Sequence, residues 1–256
     1  VWADPAAAPS ITILGVRIHL VNAQNLINIA TRTAQTKQRT LLAYVNAHGM
    51  NLAHEQPRLR RFFNDCAQWV FCDGFGVRWG ARLAGQPAPE RFTPRDWIDA
   101  LADACARHGL SMYLLGSPTD TAQRAADALV ARHANLHIAG THHGFFDKQR
   151  NAQENLRVID HINTSKADVL LVGFGMPMQE YWLEENWPSL HASVGIAVGG
   201  LFGLLAGTLW RPPKWMTDHG LEWAGRLMVE PKRLWRRYLI GNPQFLARIL
   251  RERLRR

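Results

Sequence analysis

Cysteine is scarce: the chain carries three, Cys66, Cys72 and Cys105, with no C-x-x-C pair among them. An odd number without ligand spacing excludes both a disulfide framework and a structural zinc site, and fits a reducing cytoplasm. Long apolar runs are missing too. The best candidate, Val194 to Gly207, holds 14 residues broken by five glycines, short of the roughly 18 to 20 needed to span a bilayer, so it reads as core. The opening Ala/Pro stretch from Ala3 to Ser10 has neither the cationic start nor the apolar centre of a signal peptide; residues 1–15 are expected to be a disordered leader. No D-x-D motif is present, so the usual acidic clamp for a metal is lacking and no metal or other cofactor is expected. Eleven histidines include His142-His143, but neighbours on a strand are expected to point oppositely and no third ligand stands at a recognised spacing.

With 256 residues, 47% of them hydrophobic and 20% charged, the chain is long enough for a sizeable core. Its formal charge of +9 is almost entirely local: from Thr208 onward there are twelve Lys and Arg against four Asp and Glu, a balance of +8. Such polarity calls for an anionic partner, with phospholipid headgroups, a lipid pyrophosphate and nucleic acid all eligible. No nucleic-acid reader motif is present. Basic residues such as Arg226, Lys232, Arg233, Arg236 and Arg237 alternate with Trp215, Trp223, Trp235 and Tyr238, which suits a membrane interface or, more plainly, a solvated basic face packed by tryptophans.

Short apolar runs ending in turn residues recur along the chain. They are Thr40 to Val45 before Asn46, Trp69 to Cys72 before Asp73-Gly74, Met112 to Leu115 before Gly116, His137 to Ala139 before Gly140, Val169 to Val172 before Gly173, and Val194 to Val198 before Gly199. Helical patterns such as Trp97 to His108 and Asp120 to His133 separate them. This rhythm predicts an α/β fold: a Rossmann-like parallel sheet with helices on both faces over residues 16–207, followed from 208 to 256 by a basic helical C-terminal appendage. The last helix, from Gln244 onward, pairs Phe245, Leu246, Ile249 and Leu250 with five arginines and is expected to lie at an interface.

Ligands of such sheets collect beyond the carboxyl ends of the strands. The richest loop there is Gly173-Phe174-Gly175-Met176-Pro177-Met178-Gln179-Glu180, where two glycines let backbone amides approach a phosphate. A dinucleotide fingerprint would require Gly where Met178 stands, which disfavours a nicotinamide enzyme. Glu180 is either a ligand for hydroxyls or a favourable helix N-terminal charge. Asp73, between an aromatic strand and Gly74-Phe75-Gly76, is either a general base or an acid satisfying turn amides. Asn46 is either a turn former or a sugar-hydroxyl ligand.

Taken in order, the segments Val45-Asn46-Ala47, Cys72-Asp73-Gly74-Phe75-Gly76, Leu115-Gly116-Ser117-Pro118, His143-Gly144-Phe145-Phe146, Gly173 to Glu180, Gly199-Gly200-Leu201-Phe202, Arg211-Pro212-Pro213, Gly220-Leu221-Glu222-Trp223, Arg226-Leu227, Glu230-Pro231 and Arg237-Tyr238 resemble the WecG/TagA/CpsF family, glycosyltransferase family 26. The resemblance implies an inverting, metal-independent transfer of a hexose from a UDP-sugar to a saccharide on a polyprenyl pyrophosphate. The setting it implies is peripheral, on the cytoplasmic face of the bacterial inner membrane, against an anionic membrane surface and without nucleic acid; a homo-oligomer stays open. It makes Asp73 the base and assigns donor binding to Asn46, Gly116, Ser117, Gly173, Gly175, Pro177, Gln179 and Glu180. Arg211, Arg226, Arg233 and Arg237 would face the pyrophosphate of the acceptor. The tail looks most like exopolysaccharide members that add glucose, which ranks glucose above N-acetylmannosamine or its uronic acid. The alternative from another class is a non-catalytic basic protein binding membrane or nucleic acid. The chain departs from some members at Tyr44-Val45, where they carry Thr just before the position of Asn46, at Gly203, where they carry Asp, and at Arg211-Pro212-Pro213, where Arg-Ala-Pro is usual.

Overall fold

The computed structural model describes residues 4–210 and 212–255, without the side chains of Lys214 and Asp218. It opens on a hairpin of β1 (Ser10–Ile13) and β2 (Val16–His19), whose two-residue turn places Leu14 at φ 47° and Gly15 at φ 75°, the left-handed pair that matches strand twist. Then follow α1 (Ala23–Gln35), β3 (Thr40–Val45), α2 (Ala47–Glu55), α3 (Pro57–Arg61), β4 (Trp69–Cys72), α4 (Phe75–Leu83), α5 (Pro94–Arg107), β5 (Ser111–Gly116), α6 (Thr121–Val130), β6 (His137–His142), α7 (Gln153–Ser165), β7 (Val169–Gly173), α8 (Met178–Asn186), β8 (Val194–Ala197) and α9 (Leu201–Leu205). The C-terminal helices are α10 (Lys214–Asp218), α11 (Glu222–Val229), α12 (Pro231–Trp235) and α13 (Gly241–Leu254), with a π turn at Arg236–Ile240.

Strands β3 to β8 form one six-stranded sheet in the order β4-β3-β8-β7-β5-β6, every pair parallel. All but the edge strand β6 are buried along their length. Alternate side chains feed two cores. Leu42, Phe71, Leu114, Leu171 and Ile196 face one side; Leu41, Val70, Leu115, Leu170 and Ala197 face the other. From β3 the chain moves outward to β4, and from β5 it moves outward to β6 at the opposite edge. That divergence opens a crevice at the carboxyl ends of the strands.

Two expectations change. Residues 10–13, assigned above to a disordered leader, are strand β1, and Ile11 and Ile13 are buried. The hairpin has a job: His19 Nδ1 accepts a hydrogen bond from the Val70 amide at 3.1 Å, so it covers edge strand β4 and protects it from stray pairing. Burial and Arg17 hold the His19 ring below its ordinary pKa, in the neutral form able to accept. The second change concerns α13, expected to lie at an interface, whose apolar stripe is docked on the core of the chain itself. Phe245 and Ile249 are buried in the core beside Gly80 of α4, a gain of about 1.5–3 kcal/mol each. Arg248 bonds Asn51 at 3.0 Å and Glu55 at 2.6 Å on α2, and the Glu252 carboxylate accepts from the Leu14 amide.

Candidate active site

Strands β3 and β4 run in register, Val45 beside Cys72, so the residues that follow them, Asn46 and Asp73, emerge side by side. Asn46 caps α2: its Oδ1 accepts from the Gly49 amide at 3.1 Å. Its free amide nitrogen then donates to Asp73 Oδ2 at 3.1 Å. One side chain therefore both caps α2 and bonds Asp73. Gly74, at φ 93°, turns the chain from Asp73 into α4, a conformation that a side chain would strain.

Asp73 lies half-buried in the wall of a cavity. Opposite it stand Glu222 and Arg226 of α11 and Arg237 and Tyr238 of the π turn. Burial, and next the negative charge of Glu222, push the Asp73 carboxyl up to about 6, although the Asn46 hydrogen bond and the charges of Arg226 and Arg237 pull the other way. A carboxylate with a pKa near the operating pH is suited to taking a proton. Burial disfavours the charge of Arg226, but Glu222, Tyr238 and Asp73 outweigh it and hold the guanidinium above its ordinary range. Arg237 has a buried Nε without a hydrogen-bond partner, a donor that an anionic ligand could satisfy. His48, also in this wall, is driven down to about 4 by burial and by Arg237; it is neutral at ordinary pH.

The remaining expected site residues are distributed unevenly. Arg233 is exposed and paired with Glu230 at 2.5 Å; it does not line this cavity. Arg211 lies outside the described residues. Gly116 and Gly173 are glycines for packing: a Cβ on Gly116 would strike the Gly173 carbonyl, and one on Gly173 would sit 2.8 Å from the Gly199 carbonyl. The Ser117 amide donates to Gly173 at 3.2 Å, so the ends of β5 and β7 are knitted together. Gly175, at φ 80°, has nothing within 4 Å of such a Cβ and leaves room for a ligand. Pro177 precedes α8 as its cap residue. Gln179 and Glu180 are completely buried, so neither is an open ligand in this structure. Gln179 Oε1 accepts from the Gly199 amide at 2.9 Å, and its Nε2 donates to Glu180 Oε1 at 2.8 Å and approaches Tyr44 Oη at 3.5 Å. This chain ties the ends of β3, β7 and β8.

The Glycosyl transferase WecG/TagA/CpsF family matches residues 11–256 of the chain. The chain belongs to that family. Among its relatives is the "N-acetylglucosaminyldiphosphoundecaprenol N-acetyl-beta-D-mannosaminyltransferase" of Staphylococcus aureus (strain NCTC 8325 / PS 47), 27% identical over 241 residues, which cover 93% of this chain and 91% of the relative. The protein of the same name from Bacillus spizizenii (strain ATCC 23059 / NRRL B-14472 / W23) is 26% identical over 199 residues, covering 78% and 74%. These names speak of N-acetylmannosamine, and the expected likeness to glucose-transferring members finds no support in them.

For this glycosyltransferase, sequence reasoning missed Arg91, Glu222, Trp223, Tyr238, His48 and Trp79, all of them in the cavity wall. Arg91 follows an aperiodic Gln-Pro-Ala-Pro-Glu stretch that carries no signal, whereas Glu222 sits in the Gly220-Leu221-Glu222-Trp223 segment that carries part of the family resemblance. A second cavity lies between β6 and α7, lined by His142, His143, Phe145, Phe146, Arg157 and His161 among others. The two adjacent histidines do not diverge as expected. His143 lies beyond the end of β6, the ring centroids are 4.5 Å apart, and His142 Nδ1 contacts the His143 carbonyl. Among the described residues no cluster of three or more His, Cys, Asp or Glu is arranged to hold a metal, and no helix is long and apolar enough to cross a membrane.

Proposed function

We propose that this glycosyltransferase transfers N-acetylmannosamine from its UDP derivative, with inversion and without a metal, to N-acetylglucosamine carried on a polyprenyl diphosphate. The observation that carries the reading is the placement of Asp73: a half-buried carboxyl with a pKa of about 6, facing Arg226 and Arg237 across one cavity. In the proposed step the acceptor hydroxyl oxygen attacks the anomeric carbon and passes its proton to Asp73. The bond from that carbon to the UDP oxygen breaks, and the electron pair leaves with UDP. Arg226 and Arg237, expected above to face the pyrophosphate of the acceptor, are assigned here to this departing diphosphate, which guanidinium groups held in place stabilise through charge-assisted hydrogen bonds.

The sugar is taken from the relatives' printed names, in place of the glucose ranked first from sequence; the uronic acid of N-acetylmannosamine remains the variant to include in a donor panel. Peripheral seating on an anionic membrane surface is supported by the outer face of the C-terminal helices. There Trp215, Met228, Val229, Leu239 and Ile240 are exposed beside Lys232, Arg233 and Arg236, a mixture of apolar and basic groups suited to the headgroup region. The C-terminal helices thus offer an inner face to the cavity and an outer face to lipid. The test of the reading is a single-turnover assay of the Asp73→Asn variant: a folded variant that keeps wild-type turnover overturns the assignment of the base.

A further inference from the structure

Glu222 opens α11 and lies in the wall of the Asp73 cavity. Its two oxygens serve guanidiniums from distant parts of the chain: Oε2 lies 3.6 Å from Arg91 Nη1, and Oε1 lies 3.5 Å from Arg226 Nε. Arg91 belongs to the segment between α4 and α5, is only 13% exposed, lies over the Phe75 ring at 5.4 Å and reaches Asp96 at 3.5 Å. One carboxylate therefore pins the C-terminal helices to the segment that follows α4. An acid in the first turn of a helix is ordinarily favourable wherever it points. This one points into a cavity that already holds Asp73, where a second negative charge is unfavourable.

We propose that Glu222 is a positioning residue for the transfer: it aims Arg226 at the diphosphate and sets a second negative charge opposite Asp73, so the base is competent only when the C-terminal helices are seated. The proposal rests on the reading of Asp73 as the base. The groups acting on Asp73 are Asn46 after β3, Glu222 and Arg226 on α11, and Arg237 in the π turn. Tyr44 on β3 and Cys72 on β4 also lie close, and both are kept protonated by burial. Facing Glu222 are Arg91 and Arg226. Glu180 is pushed to about 7 by its own burial, with Gln179 and its own backbone as its hydrogen-bond partners, and is not among the groups acting on Asp73; the comparison of each variant with wild type therefore reads the Glu222 contribution.

The experiment is the pH profile of kcat/KM from pH 5 to 8, together with kcat and KM at pH 8, for the wild type, Glu222→Gln and Glu222→Asp, using UDP-N-acetylmannosamine and a short-chain N-acetylglucosaminyl diphosphate lipid. In Glu222→Gln the acid limb is expected to move down by on the order of half to one pH unit. Its kcat is expected to fall about tenfold with KM little changed, because Arg226 acts on charge that develops as the diphosphate leaves. Glu222→Asp keeps the charge and loses reach, so its limb stays in place while kcat falls. An acid limb that Glu222→Gln leaves unmoved overturns the proposal while the Asp73 reading survives. A wild-type profile flat across this range overturns both. Should Glu222→Gln fail to fold by circular dichroism, Glu222→Asp decides: wild-type kcat in that variant overturns the proposal.

Discussion

Replacing Asp73 by Asn should make the protein more stable at alkaline pH while it disables the reaction. The folded protein raises this carboxyl from 3.8 to about 6, so it binds its proton more tightly than the unfolded chain does. For a raised acid the sign is fixed: the cost of ionising it in the fold is absent below 3.8, grows between 3.8 and about 6, and is fully present above that. At about 1.4 kcal/mol per unit, this shift of about two units sets a ceiling of about 3 kcal/mol. Water screens a half-buried group, and about 1–2 kcal/mol is the realistic gain at pH 8. For a chain of this size that is roughly 2–8 °C in Tm. The gain should shrink to about a third by pH 4.5, where the wild-type carboxyl is itself mostly protonated. Thermal melts of both proteins at the two pH values, alongside a transfer assay expected to fall on the order of 10²- to 10⁴-fold, test the argument. A gain that is equal at both pH values, or a variant less stable at pH 8 than at pH 4.5 relative to wild type, would refute it.

Glu180→Gln should also gain stability, in an amount that grows as pH rises from 4.5 and is complete above about 7, because burial raises the Glu180 carboxyl to that value and its Oε2 has no partner; urea titrations at pH 5 and pH 8 check that the gain is the larger at pH 8. Phe245→Ala should cost about 3–5 kcal/mol, since its ring is buried against α4 at Gly80; a urea midpoint near that of the wild type would show α13 to be a loose tail. Gly116→Ala should be severely destabilised by backbone contact with Gly173, whereas Gly175→Ala should lose only about 1 kcal/mol to its positive φ. The test is soluble yield together with Tm for the pair.

Much of the fold was legible because buried parallel strands write themselves as continuous apolar runs. Thr40 to Val45 and Trp69 to Cys72 coincide with β3 and β4 to the residue. The hairpin was hidden for a physical reason: Ile11, Ile13, Val16 and Ile18 follow alternation, not a continuous run, and the Ala/Pro stretch before them drew attention to disorder. The docking of α13 was equally invisible, because an amphipathic helix with arginines reads the same whether its apolar stripe meets lipid or, as Phe245 and Ile249 do, a protein core. Within the site, Asp73 and Asn46 were readable from strand-end position. The burial of Gln179 and Glu180 was not readable, since only tertiary structure reveals that Gln179 bonds the Gly199 amide and the Glu180 carboxyl. Glu222 and Arg91 meet across 131 residues of sequence, a separation over which no local pattern speaks.

The most direct test of the account is transfer of labelled sugar from UDP-N-acetylmannosamine, its uronic acid and UDP-glucose to N-acetylglucosaminyl and glucosyl diphosphate lipids, with EDTA present. The account predicts product from N-acetylmannosamine on the N-acetylglucosaminyl lipid, undiminished by EDTA and lowered on the order of 10²- to 10⁴-fold in Asp73→Asn. Product from UDP-glucose alone, or none with any pair from a folded protein that still binds anionic vesicles, would contradict it.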